Sequence, residues 1–563
     1  MQRTPQLRQL MGFANRQLSR SWEFHSRHFA QQQQTLQQSR WRKAPILRMG
    51  FLLAGAGVIA YDGVVNEFTY CGSSVRFVRS LKTAALIAID YLGLNELDPE
   101  YERKIKALHK SSAERLLDTC LLNGGLYIKV GQGFAAVNHI LPIEYTSTLA
   151  KLQDECLPTS KADVQKVFRS DFGQLPEEIY KEFDYKPVAA ASLAQVFKAR
   201  LPSGEQVAVK VQYNDLQKRF ISDMATIIFL QDIIELIFKD YNFGWILNDL
   251  RKNLVHELDF WHEGQNAERC AKDLQKLNYV LVPKIYWPHT KTRVLTMEWM
   301  DGLKISNVEG IKRQKLSIAD IDLKLYNMFA EQIFKTGFVH ADPHPGNIFV
   351  RKNARNGKAD IILLDHGLYE ELPANVRIPL CDFWVATVMR DEAKMKVAAQ
   401  QMNVVDHLKF GDVLFQQPVQ MHEGPIRSKL TQEDIDYVQK VARENFDIIM
   451  STLKEMPRSL LFVVRNLNTV RAIGNMHGDV VDRPCAMARH AQHCLYVQRG
   501  GSPLEYLKWL QRRFYFEYCL WSKAFRERLL NWYLNFLYIV GRAPPSARTL
   551  MRDIRKQDQQ MLT

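Results

Sequence analysis

Between Tyr101 and about Phe172 the apolar residues recur every three or four positions, as in LHKSSAERLLDTCLL, and this spacing predicts a helical region. The period changes near residue 183. There SLAQVFKARL and QVAVKVQ alternate apolar and polar residues, and Pro202-Ser203-Gly204 between them predicts a hairpin. A long helical stretch is expected from about Asp215 to Leu277, then a strand-like run, RVLTMEWMDG. From Asp320 onward helices are expected to dominate, interrupted by HADPHPGNIFVRK and IILLDHGL, two short apolar strands flanking Asn356-Gly357. No internal repeat is evident, and QQQQTLQQ at 31–38 is the low-complexity patch.

A chain of 563 residues with 46% hydrophobic and 24% charged residues has ordinary globular composition and room for several domains. Its net charge of +14 is concentrated at the ends: residues 1–50 carry +8, residues 499–563 carry +7, and the centre is close to neutral at −1. A folded centre without net positive charge argues against nucleic acid as a partner. Residues 1–48 are rich in Arg, Gln and Ser and nearly free of acids, the composition of a mitochondrial presequence, with a basic tail as the plainer reading. Residues 49–65 contain MGFLLAGAGVIAY, a candidate membrane helix that is shorter than the ~20 apolar residues of an ordinary span, so a buried or interfacial helix stays open beside it. The C-terminal segment 499–563 interleaves Trp, Tyr and Phe with Arg and Lys. That suits an anionic membrane surface, or equally a helix packed on the body of the protein. The eight cysteines form no CxxC, which argues against a disulfide framework or structural zinc site.

The candidate chemistry lies in three places. Lys210 sits in VAVKV, where Val207, Val209 and Val211 would face a core and Lys210 the other side. A strand lysine downstream of a hairpin is how kinases hold nucleotide phosphates, although a lone lysine there is more often just a solvent-facing residue. In HADPHPGN, His340, Asp342 and His344 suggest zinc, whereas Asp342 and Asn347, five apart, match a base and a metal-binding amide. IILLD delivers Asp365 eighteen residues after Asn347, followed by His-Gly, and so adds a further oxygen donor. Oxygen donors of this number suit magnesium completed by water and phosphate, and a fourth zinc ligand is missing.

These residues resemble the aarF-domain-containing, or UbiB-like, family of atypical kinases over roughly residues 100–480. Lys129-Val130-Gly131-Gln132 is similar to the family's KxGQ motif, Ala189-Ala190-Ala191-Ser192 to its alanine-rich loop, and Glu257-Leu258-Asp259 to its ExD motif. Glu263 falls where the partner of the strand lysine is expected, and His366 replaces the commoner Phe after the metal-binding Asp365. The resemblance implies an α+β, two-lobed kinase-like fold: a helical extension over 66–182, an N-lobe over 183–300 and a helix-rich C-lobe over 301–498. It implies Mg2+ with ATP or ADP as cofactors. Asp342 would be catalytic, Asn347 and Asp365 would hold metal, and Lys210, Glu263, Ala189 to Ser192, Glu298 and Met300 would bind nucleotide. Lys129, Gln132, Glu257 and Asp259 would gate the pocket.

Alanines in place of glycines restrict the phosphate loop. On a helix Asp259 and Glu263 would share a face at i,i+4, leaving Glu257 to point elsewhere, toward Lys129. After DHG no long activation segment and no Ala-Pro-Glu follow, so a small or lipid-like acceptor, or water, suits the loop better than a protein. The resemblance suggests involvement in lipid or quinone metabolism, while the Arg-rich leader followed by a short apolar segment favours a mitochondrial inner-membrane anchor. A Ser/Thr protein kinase and a non-catalytic, nucleotide-sensing scaffold are the rival expectations.

Overall fold

The computed structural model describes residues 71–540 other than 96–97, 137–140, 154–159, 191–192, 215, 238–256, 416–418, 420–455 and 499–502. The presequence at 1–48, the candidate membrane helix at 49–65, and Ala191 and Ser192 lie outside the described residues. Among the described residues no helix is long and apolar enough to cross a membrane.

The predicted hairpin is the centre of the first sheet. Strands β1 (Glu182–Phe183), β2 (Ala189–Ala190), β3 (Ala194–Arg200) and β4 (Gln206–Gln212) precede β5 (Val280–Leu281) and β6 (Val294–Glu298) in the chain. β3 and β4 pair antiparallel from Ala194↔Gln212 to Arg200↔Gln206, turning at Gly204, whose φ of +96° suits a residue without Cβ. The sheet order is β1-β3-β4-β6, with β2 also on β3. One face buries Val207, Val209 and Val211 against Val164, Val167 and Phe168 of the helix Lys161–Phe172. Ser160 starts that helix by accepting from the Asp163 N–H, and Gly173 ends it at a φ of +72°. The opposite face packs Ala208 and Leu295 against Phe260 and Ala267 of the helix Phe260–Asp273. Lys210 belongs to this second face.

A second sheet runs β5-β10-β9-β7, from β7 (Leu303–Lys304), β9 (Ile348–Lys352) and β10 (Ala359–Leu363). β9 and β10 pair antiparallel, with Ile361 opposite Val350. β8 (Phe338–His340) pairs with β11 (Tyr369–Glu371) as a separate ribbon. Beneath both lies a core built by the helices Ile318–Ala330, Ala374–Met389, Arg458–Met476 and Arg483–Gln498. The Trp384 indole is fully buried there and donates to the Pro484 carbonyl at 3.0 Å. The helix Ile318–Ala330 continues into a wider turn, Glu331–Thr336, in which Gly337 N–H donates to the Gln332 carbonyl five residues back. That turn delivers Phe338 to His340.

The chain divides into two units, Met1–Leu86 with Arg219–Leu230, and Ile87–Lys218 with Gln231–Thr563. In the smaller, Arg76 pairs with the buried Asp223 at 2.8 Å, Ser73 meets Ser222 at 3.1 Å, and Phe77 packs on Phe229. Among the described residues all the strands lie in the larger unit.

Two expectations need correction. Among the described residues the stretch from Asp215 to Leu277 holds the helices Leu216–Ile237 and Phe260–Asp273, and it is broken at Asp259, which caps the second. The region after Asp320 holds the additional ribbon β8–β11, whose three-residue strands are too short to show an alternation.

Candidate active site

Lys210 leaves β4 on the face covered by the helix Phe260–Asp273, so its ammonium meets the first turn of that helix. Nζ lies 2.7 and 2.9 Å from the two Glu263 carboxylate oxygens and 3.7 Å from Asp365 Oδ2. It also sits 5.0 Å from the centre of the Phe260 ring. Burial acts to pull the Lys210 ammonium down, but Asp365 and then Glu263 outweigh it and hold it well above the usual lysine value. Burial pushes the Glu263 carboxyl up to about 7 against the pull of Lys210, with Asp365 adding to the rise. Glu263 is placed there because Asp259 starts the helix, accepting from Trp261 N–H at 3.0 Å. Asp259 is therefore a cap with non-helical backbone and does not share a helical face with Glu263, as the sequence spacing had suggested.

The HADPHPGN segment is fastened on several sides. Ala341 N–H donates to the Leu368 carbonyl at 3.0 Å, and Asn466 donates to the His340 carbonyl at 2.7 Å. His340 Nε2 bonds the Asp365 carbonyl at 2.9 Å while Nδ1 accepts from Asp342 N–H at 3.1 Å, which assigns the Nε2–H tautomer. Burial lowers the His340 pKa and keeps the ring neutral. His344 Nδ1 accepts from Gly346 N–H at 3.1 Å, and the Asn347 carbonyl accepts from Leu364 N–H at 3.0 Å. With both His340 nitrogens committed to the backbone, His340, Asp342 and His344 do not make a zinc site. Among the described residues no cluster of three His, Cys, Asp or Glu could hold a metal.

Asp365 accepts from Gly367 N–H at 2.9 Å, and a Cβ on Gly367 would stand 3.2 Å from Asp365, 3.8 Å from Glu263 and 3.9 Å from Glu257. Glycine at this corner lets three carboxylate-bearing segments close on one another. His366, in place of the usual Phe, bonds Tyr369 Oη at 2.9 Å through Nδ1 and the Leu363 carbonyl at 3.1 Å through Nε2. Burial brings its pKa down to about 3, so the ring is neutral.

Burial would raise the Asp342 carboxyl, but Arg465, whose Nη2 is 3.3 Å away, and then Lys129 hold it below the usual value. Asp365 behaves alike. Burial opposes its charge, and Lys210, Gly367 N–H and Lys129 hold it well below the normal carboxylate range. Two ionised carboxylates flanked by fixed cations, with Asp365 still 37% exposed, leave an oxygen-rich opening. Asp365 and the half-buried Asn347 offer hard oxygen donors, which fits Mg2+ completed by water and phosphate.

The remaining sequence candidates separate. Lys129, on the helix Leu126–Ala136, pairs with Glu257 at 2.7 Å. Burial acts against the Lys129 charge, and Glu257 and Asp342 hold it up. Gln132 instead donates to the Leu152 carbonyl at 2.8 Å, and a Cβ on Gly131 would strike Leu152 and Cys120. These two positions dock the helix, while Lys129 reaches the carboxylates. Ala189 and Ala190 form β2, opposite Val196 and Gln195. Glu298 is exposed and accepts from Lys284 N–H at 3.3 Å, and Met300 is half-buried just beyond β6. Sequence reasoning missed Arg465 and Asn466. The fully buried Asn466 amid LLFVVRNLNTV was the available signal.

A family model described as the ABC1 atypical kinase-like domain matches residues 151–399. The chain is 38% identical over 448 residues to the probable serine/threonine-protein kinase abkD of Dictyostelium discoideum, covering 78% of this chain and 64% of that longer protein. It is 35% identical over 432 residues to AarF domain-containing protein kinase 1 of Xenopus laevis, covering 74% of this chain and 83% of that one. Among solved structures it is similar to the erythromycin complex of Rv3197 from Mycobacterium tuberculosis. That likeness has 20% identity and a TM-score of 0.42, over 69% of this chain and 95% of that one.

Proposed function

Because the chain belongs to the ABC1, or AarF-domain, family of atypical kinases, we propose that it binds Mg2+ with ATP or ADP and transfers or hydrolyses the γ-phosphate. The observation that carries this reading is the convergence of Lys210, Glu263 and Asp365 within 3.7 Å. In this reading Lys210, fixed by Glu263, receives nucleotide phosphate oxygens, and Asn347 and Asp365 are the metal-binding residues. Bound there, Mg2+ would neutralise charge on the phosphates. Asp342, kept ionised by Arg465 and Lys129, orients the acceptor hydroxyl or a water and takes its proton.

A small or lipid-like acceptor fits best, as in a quinone or lipid pathway. Directly after Gly367 the chain pairs as β11 and then enters the helix Ala374–Met389, a short course that leaves little room for a peptide-docking segment. The basic, acid-poor leader supports a mitochondrial setting, and the apolar run at 49–65 supports an attachment to the inner membrane.

The test is phosphate release by the purified full chain given ATP, Mg2+ and anionic vesicles. Lys210→Ala and Asp365→Asn should each abolish turnover; release that is absent, or indifferent to both changes, overturns the reading. The Lys129–Glu257 pair favours one second reading, a nucleotide-sensing scaffold. That reading requires Mg-dependent nucleotide binding, lost in Lys210→Ala, without turnover under any lipid condition.

A further inference from the structure

The helix Pro503–Ile539 has a face the site does not use. One side of its first half is seated: Phe516 is 1% exposed, Glu517 pairs with Arg489 at 2.7 and 3.0 Å, and Trp509 packs on Tyr496 and His493. Around the helix from these, large apolar side chains recur at intervals of three and four from Leu507 to Ile539. Phe514, Tyr518, Trp521, Phe525, Trp532 and Phe536 are between 49% and 75% exposed. Trp521 stacks on Phe525 at 5.2 Å and Trp532 on Phe536, two ring pairs on the same face with the exposed Leu529 between them. The stripe runs about 48 Å at 1.5 Å per residue.

We propose that this stripe is a docking surface for an anionic lipid bilayer, on which the helix lies in the plane of the headgroups. Charge selects the occupant: Lys508, Arg512 and Arg513 are exposed on the same helix, and residues 499–563 carry +7. Chemistry selects it too. A seam between two copies would be built of Leu, Ile and Val knobs. This stripe is mostly Trp, Tyr and Phe, and the polar tips of Trp and Tyr favour a boundary that is apolar on one side and wet on the other. Charged residues along its length keep it on the surface rather than across the bilayer. The proposal needs no nucleotide and no catalysis, so it stands or falls apart from the phosphotransfer reading.

The experiment is sedimentation of the full chain with vesicles, either of phosphatidylcholine alone or of equal parts phosphatidylcholine and phosphatidylglycerol. Binding to the anionic vesicles should be at least about tenfold stronger and should weaken as salt is raised. The double variant Trp521→Glu/Trp532→Glu should lose at least about tenfold of that binding while keeping parental circular dichroism. A second variant, Lys508→Glu/Arg512→Glu, should lose mainly the preference for anionic lipid. Because residues 49–65 remain in every protein compared, differences between them report the helix alone. Equal vesicle binding by parent and double variant overturns the proposal. So does a Trp521→Glu/Trp532→Glu protein that binds vesicles as the parent does but turns from dimer to monomer, which would make a second copy the occupant.

Discussion

Removing Arg465 should uncouple Asp342 from the cation that keeps it ionised. Two unit charges 3.3 Å apart attract by about 5 kcal/mol at the effective dielectric of ~20 that suits partly buried pairs. The Arg465 side chain is 32% exposed and that of Asp342 25%, so water screens the pair. Each side chain also pays in lost freedom, and a net coupling of about 0.5 to 1 kcal/mol remains. Lys129 stays beside Asp342 after the change, which keeps the carboxyl from reverting wholly to the raised value that burial would impose. A double-mutant cycle over Arg465→Ala and Asp342→Asn, read as unfolding free energy, measures the coupling directly. The sign follows from the lowered Asp342 pKa. The coupling is complete at neutral pH, above the unfolded carboxyl's 3.8, and fades as pH falls through the folded value. In phosphate release, Arg465→Ala should move the acid limb of the pH profile to higher pH, and Arg465→Lys should restore part of it. A coupling below about 0.3 kcal/mol, the scatter of non-interacting sites, refutes the reasoning, as does an acid limb that does not move.

Lys210→Met should abolish Mg-nucleotide binding in calorimetry. Its stability cost, up to the ~3–5 kcal/mol of a broken buried pair, should be smallest in mild acid and grow as pH rises through 7, because Glu263, already near 7, then takes up a proton less readily. His477, buried with Asp322 at 2.5 Å, is opposed by burial but held above the ordinary histidine value by that carboxylate. Its contribution is complete below about 6.5 and lost as pH rises through the folded value, so the parent's melting temperature should fall more between pH 6 and pH 9 than that of His477→Gln. Gly131→Ala should destabilise the protein by about 1 to 3 kcal/mol in chemical denaturation, because its methyl group meets Leu152 and Cys120.

The parts of the fold legible in the sequence were those specified by near neighbours. Val207, Val209 and Val211 against Lys210 read as a two-faced strand because the period of two is local. Asp342, Asn347 and Asp365 read as one site because Asn347 and Asp365 stand at the same end of one hairpin, just before β9 and just after β10. Asp259 misled because an Asp ahead of an aromatic run serves equally as a helical residue or a cap, and the apolar spacing upstream hid the break. The Arg465–Asp342 pair joins residues more than a hundred positions apart, and no local period marks such a contact. Gln132 looked like chemistry because, with Lys129, it completes the KxGQ pattern of the family the sequence resembles. In a helix those two side chains need not serve one site, and here one holds a carbonyl while the other meets a carboxylate.

The bonds around His340 also bear on how such a site could be drugged. Many kinase inhibitors work by trapping the segment after the metal-binding acid in a displaced position. In this chain that segment is held by β8–β11 pairing, by Ala341 and Leu368, and by a His366 ring anchored at both nitrogens. At about 0.5–1.5 kcal/mol net apiece, these bonds would have to break together. A ligand seeking a swung-out conformer would spend most of its affinity creating one, so chemistry aimed at this protein has better prospects with the segment left where these bonds hold it.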